Sequence, residues 1–145
     1  MKSKFLVFSQ FFLISLMVLG QTLTQSLTYP FLGFFFIFSG GIIGILAIKH
    51  HKQGNFNIRP DIKENCTLVT HGIYSYIRHP MYLSVLTMMF GVVLLHPSWY
   101  VSLLYAFLIV TLLVKLHYEE SLWICHSKAY QEYRKTTKKL LPFVF

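Results

Sequence analysis

Four apolar runs, residues 5–20, 31–48, 80–95 and 99–116, limit what this chain can fold into. Each is close to the length that crosses a bilayer. A helix rising 1.5 Å per residue needs roughly 20 apolar residues to cross a hydrocarbon core of about 30 Å. Only 12% of the 145 residues are charged, about half the share found in a soluble domain. That is too little charge to cover a globular surface. The expected class is an all-α integral membrane protein, one domain with about four transmembrane helices.

The formal net charge is +8. Basic chains bind nucleic acid, but here the basic residues alternate with apolar runs, as Lys and Arg do in the cytoplasmic loops of membrane proteins. The expected partner is therefore the lipid bilayer and not nucleic acid. Lys2 and Lys4 precede the first run, and residues 21–28 carry no small-x-small cleavage pattern, so a retained first helix is expected rather than a signal peptide. The loops after the first and third runs hold no Lys or Arg. The N-terminus, the loop 49–79 and the C-terminal cap 117–145 hold all the basic residues except Lys115. This asymmetry predicts that both termini and the middle loop are cytoplasmic.

Within the second run, Gly40 and Gly44 form a small-xxx-small pair suited to close helix approach. In the cap, Leu122, Trp123, His126, Tyr130, Tyr133 and Thr137 recur at steps of three and four. Polar residues fall mostly on the other side, which predicts one amphipathic helix at the membrane surface, with Leu140 to Phe145 as an apolar tail folding back onto the core. Cys66 and Cys125 have no metal spacing and are expected as reduced thiols. The histidines give no metal spacing either, so no metal is expected.

The densest chemistry lies in residues 68–82, Leu68-Val69-Thr70-His71-Gly72-Ile73-Tyr74-Ser75-Tyr76-Ile77-Arg78-His79-Pro80-Met81-Tyr82. Pro80 opens the third run. The short turn His96-Pro97-Ser98 makes the third and fourth runs antiparallel neighbours, so the fourth returns near Lys115 to Glu120 at the end where the third began. Proline at a helix start leaves the next amides, at Met81 and Tyr82, open to an anion. Gly72 would let backbone approach a ligand. Glu119 and Glu120 need a compensating cation, either Lys115 one turn earlier or a ligand ammonium or sulfonium. An anion site facing a carboxylate suits a zwitterion. Singly, each residue has a plainer reading: Arg78 and His79 as headgroup anchors, the tyrosines as an interfacial belt, the glutamates as solvated charges.

The pattern Leu68-Val69-Thr70-x-Gly72-x-Tyr74-x-x-x-Arg78-His79-Pro80-x-Tyr82 resembles the signature of the isoprenylcysteine carboxyl methyltransferase and phospholipid methyltransferase superfamily. Glu119-Glu120-x-Leu122, Tyr130-x-x-Tyr133 and Leu141-Pro142-Phe143 resemble that family's C-terminal motif in the same order. The resemblance covers roughly residues 59–145. It implies an integral-membrane methyltransferase with S-adenosylmethionine as cofactor and a hydrophobic or lipid-linked methyl acceptor. Carried over by position, the cofactor would touch Thr67, Leu68, Val69, Tyr74, His79, Pro80, Met81, Tyr82 and Glu119. Lys115 aligns with a substrate-holding Arg of the family, so Lys115 and Glu119 are the implied catalytic residues. Cys66, His71, Cys125-His126 and Lys139 depart from the family pattern, where His, Ser, Phe-Gly and Arg are usual. A phospholipid N-methyltransferase, an NADPH-dependent membrane enzyme like the sterol reductases, and a non-catalytic membrane subunit are the alternatives.

Overall fold

The computed structural model describes residues 2–21, 27–50 and 68–142. Thr67, implied above as a cofactor contact, and Cys66 fall outside the described residues, as does the tail beyond Pro142. Among the described residues there are five helices in chain order, α1 (Lys2–Gln21), α2 (Pro30–His50), α3 (Pro80–Leu95), α4 (Trp99–His126) and α5 (Lys128–Thr136), with a 3₁₀ turn at Gly72–Ser75 ahead of α3. Among the described residues there is no strand, only an isolated parallel bridge between Ile77 and Lys138. The all-α membrane class holds, since α1, α2 and α4 are each long and apolar enough to cross a bilayer. The expected third crossing, α3, has 16 residues and so measures about 24 Å at 1.5 Å per residue.

Contacts at the two ends define an up–down arrangement. At one end, the Tyr100 hydroxyl donates to the Gly20 carbonyl at 3.0 Å, and the Thr28 amide donates to the Leu95 carbonyl at 2.8 Å. Lys115 reaches Gln10 midway along α1, and at the other end Tyr82 reaches Glu119 and the ring of His50 lies over Gly72. Since α1 runs away from the Gly20 end, its start shares this end of the bundle with the end of α2, the start of α3 and the polar part of α4.

Glycines let α2 and α3 approach closely. A methyl group on Gly91 would stand 2.5 Å from the Gly33 carbonyl oxygen. Ser84 donates to the Gly40 carbonyl at 2.7 Å, so the Gly40/Gly44 face packs against α3 of the same chain. Met17, Val101, Leu108 and Leu112, all nearly or fully inaccessible, join Met89, Val92 and Val93 in the main core between α1, α3 and α4. The outward faces carry large apolar side chains such as Phe31, Phe35, Phe38 and Phe107, which suit lipid.

The C-terminal cap differs from its expected form. The apolar pattern ends at Leu116, but α4 continues ten residues further, to His126, because residues 117–126 contain no Gly or Pro to stop it. Ser127 is extended and breaks the helix, and α5 is a separate helix of nine residues. The predicted single amphipathic helix is thus the last turns of α4 plus α5. Leu140 does fold back, being 6% exposed.

Candidate functional site

Arg78 and Glu120 organise the polar end of the bundle. The Arg78 Nε donates to Glu120 Oε1 at 2.8 Å, with both side chains more than nine-tenths buried. Arg78 Nη1 also donates to the Arg134 carbonyl at 3.2 Å and to the Thr137 carbonyl. Neighbouring backbone follows: the Arg78 amide donates to the Lys138 carbonyl at 2.8 Å, and the His79 amide to the Lys139 carbonyl at 3.0 Å. The reading of Arg78 as a headgroup anchor is overturned. Its planar fork suits it to hold a carboxylate and two carbonyls at once, tying the start of α3 to α4, α5 and the segment after α5.

Two tyrosines reinforce this clasp. Tyr130 donates to Glu120 Oε1 at 3.3 Å, and Tyr133 donates to the Tyr74 carbonyl. Burial pushes the Tyr133 hydroxyl up to about 12, against the opposing effects of the Arg78 charge and Thr137, so it remains a donor at neutral pH. Burial, then the Glu120 charge, pushes Tyr130 upward as well, and burial with the Glu119 charge does the same to Tyr74. Trp123 stacks on Tyr130 with ring centroids 5.7 Å apart. Of the stripe predicted along the cap, Trp123, Tyr130, Tyr133 and Thr137 therefore meet this clasp, whereas His126 is exposed.

Glu119, one residue earlier, is placed differently. Its side chain keeps 29% of its surface accessible. It accepts a 2.6 Å hydrogen bond from the Tyr82 hydroxyl and lies 3.9 Å from His79 Nδ1. The His79 and Tyr82 rings stack nearly parallel, centroids 5.3 Å apart, and His79 Nε2 reaches Glu120 Oε1 at 3.4 Å. Successive residues on a helix point about 100° apart, so Glu120 turns into the protein while Glu119 faces the space beside α3.

The residues predicted from sequence fall into three groups. Tyr82, Glu119, His79 and Lys115 come together: the Lys115 Nζ stands 5.2 Å from the Tyr82 ring centre. Val69 and Tyr74 are buried beside Ala47, with Met81 packed against them, and Leu68 is half-buried. Pro80 occupies the first position of α3, as expected. Two expectations are corrected. The Tyr82 amide is not open, because it donates to the His79 carbonyl at 3.1 Å. The space at Gly72 is filled by the His50 ring and not left for a ligand, although Gly72 does adopt a left-handed φ of +64°.

Lys115 is 2% exposed and does not spend its ammonium on Glu119 by a direct bond. It donates to Gln10 Oε1 at 2.8 Å. Sequence reasoning passed over Gln10. The available signal was a lone amide in the run Phe5-Leu6-Val7-Phe8-Ser9-Gln10-Phe11-Phe12.

An apolar groove of about 350 Å³ is lined by Phe36, Leu83, Leu86, Ile109, Leu113 and Leu140 among others. Leu83 follows Tyr82 in α3, and Leu113 stands two residues before Lys115 in α4. This part of the groove is thus level with the polar cluster.

A family model described as the isoprenylcysteine carboxyl methyltransferase family matches residues 31–124. That stretch includes α2, the 3₁₀ turn, α3 and nearly all of α4. It leaves out α1 and α5. No curated protein and no solved structure matches the chain.

Proposed function

We propose that this chain, which belongs to the isoprenylcysteine carboxyl methyltransferase family, moves a methyl group from S-adenosylmethionine to the carboxylate of a lipid-linked acceptor at the polar end of its helix bundle. The observation that carries the reading is the 2.6 Å bond between Tyr82 and Glu119. It joins two motifs 37 residues apart in sequence, level with the Leu83 and Leu113 part of an apolar groove.

The chemistry of the cluster fits such a cofactor. Glu119 offers a partly accessible carboxylate, held by Tyr82, to a ligand that carries an ammonium and a sulfonium. The parallel His79 and Tyr82 rings add a π surface for the cationic part. Bound S-adenosylmethionine supplies an electrophilic methyl group. The residues of the chain would do the rest by positioning. Glu119 would hold the cationic side of the cofactor, Lys115 would hold the acceptor carboxylate by charge, and the apolar walls would exclude water. A carboxylate nucleophile is already ionised at neutral pH and needs no general base. The groove between α2, α3 and α4 suits the hydrocarbon portion of the acceptor.

Calorimetric titration of the detergent-purified protein with S-adenosylhomocysteine tests this, with NADPH as the comparison. Binding of the first alone, lost in Glu119→Ala, is the expected result. Binding of NADPH alone refutes the methyltransferase reading.

A further inference from the structure

Among the charged residues described, Lys115 stands out for its burial in an apolar helix, at 2% exposure. A lysine stem is long and flexible, and near a membrane boundary it carries its ammonium to the headgroups unless something holds it inside. In this structure α1 supplies that partner. The buried residues of α1 are Ser3, Gln10, Met17 and Gly20, the first three at intervals of seven. Gln10 sits at the centre of these three, 6% exposed, with Oε1 accepting from Lys115 Nζ at 2.8 Å. Held there, the ammonium lies 5.2 Å from the centre of the Tyr82 ring, and Tyr82 in turn holds Glu119. Gln10 thus begins a series of contacts from α1 through Lys115 and Tyr82 to Glu119. It lies outside residues 31–124, the stretch the family pattern covers.

We propose that Gln10 is a positioning residue: it keeps the Lys115 ammonium at the acceptor end of the site, where it receives the acceptor carboxylate. This rests on the methyltransferase reading above. An amide is well suited to the role. Its oxygen takes one ammonium hydrogen without neutralising the charge, and the ring face of Tyr82 favours the cation from another side. At least one of the three ammonium hydrogens then remains for an incoming carboxylate. A Glu at this position would satisfy the same geometry but cancel the charge that attracts the acceptor.

The test uses the full chain in detergent, with N-acetyl-S-farnesylcysteine as the acceptor probe and S-adenosylhomocysteine as the cofactor probe. Gln10→Met keeps the volume and apolar setting of α1 and removes the acceptor atom. We expect Gln10→Met to weaken binding of the farnesylcysteine probe about tenfold, the size of one hydrogen bond to a charged group, and to raise KM more than it lowers kcat. S-adenosylhomocysteine binding stays at the wild-type value. In a Lys115→Met background the same Gln10→Met change has no further effect on probe binding, because the group it positions is gone. Equal loss in both backgrounds, or no loss in either, overturns the positioning role. So does a wild-type protein that binds S-adenosylhomocysteine but not the farnesylcysteine probe. A wild-type protein that binds no S-adenosylhomocysteine overturns the methyltransferase reading itself, which is a separate outcome.

Discussion

Adjacent glutamates in one helix should respond to the same substitution in opposite ways. Glu120 shares a buried ion pair with Arg78 at 2.8 Å and also receives Tyr130 at 3.3 Å. Glu120→Ala leaves the Arg78 guanidinium buried with only backbone carbonyls and the Thr137 hydroxyl for company. Breaking a buried pair in this way costs about 3–5 kcal/mol. At roughly 2–4 °C per kcal/mol for a chain of this length, the apparent Tm should fall by about 6–20 °C. Glu120→Gln keeps an acceptor for Arg78 and should fall less. Glu119 makes one strong hydrogen bond, and its side chain is 29% exposed, so Glu119→Ala should change stability by only about 0.5–1.5 kcal/mol. It should nevertheless lose S-adenosylhomocysteine binding. The assay is thermal unfolding of both variants in one detergent, followed by calorimetry at a temperature where both are folded. A Glu120→Ala protein within about 2 °C of wild type would refute the assignment of Glu120 to the clasp, since its predicted loss on the same scale is several-fold larger.

Tyr82→Phe removes the donor to Glu119 but keeps the ring beneath Lys115; calorimetry should show S-adenosylhomocysteine affinity reduced about three- to tenfold, with stability within about 1.5 kcal/mol of wild type. Gly72→Ala forces a side chain into a left-handed position already overlain by His50. It should cost about 1–2 kcal/mol from backbone strain alone, measured as a lower Tm. Leu86→Trp fills the groove with a ring; KM for the farnesylcysteine probe should rise while S-adenosylhomocysteine binding is unchanged, and an unaltered KM would show that the acceptor does not use this groove.

How far the site was legible in sequence depended on the kind of signal. The meeting of Tyr82 with Glu119 followed from helix order alone, because a three-residue turn between apolar runs leaves few other ways to pair them. The class of protein followed from the scarcity of charge. The extent of α4 did not, because hydropathy marks where a helix leaves lipid and not where it ends. Lys115, His117, Glu119 and Glu120 interrupt the apolar run but are compatible with helix. The division of labour between Glu119 and Glu120 was equally hidden. Two identical residues in a row carry no mark of which faces inward until the phase of α4 against α3 is known. Arg78 looked like one more basic residue at a membrane boundary. Its role depends on carbonyls of residues 134 and 137, which backbone geometry supplies and sequence does not announce. Gln10 contacts a residue 105 positions away, and no local pattern points across such a distance.

The pairing of residues 76–79 with residues 138 and 139 has a consequence for the order of events during synthesis. The amides of Arg78 and His79 donate to carbonyls of Lys138 and Lys139, and the Lys138 amide donates back to Tyr76. The helices α1 to α4 precede residue 138 in the chain. α1, α2 and the start of α3 precede that stretch by the whole of α4 and can enter the bilayer before it has been translated. The start of α3, where His79 and Tyr82 stand, therefore spends the period of insertion without the segment that braces it. The clasp would be completed only once that segment has docked, after the start of α3 is in place. Until then, a nascent chain would present the side chains of His79 and Tyr82 without the backbone pairing that holds the start of α3.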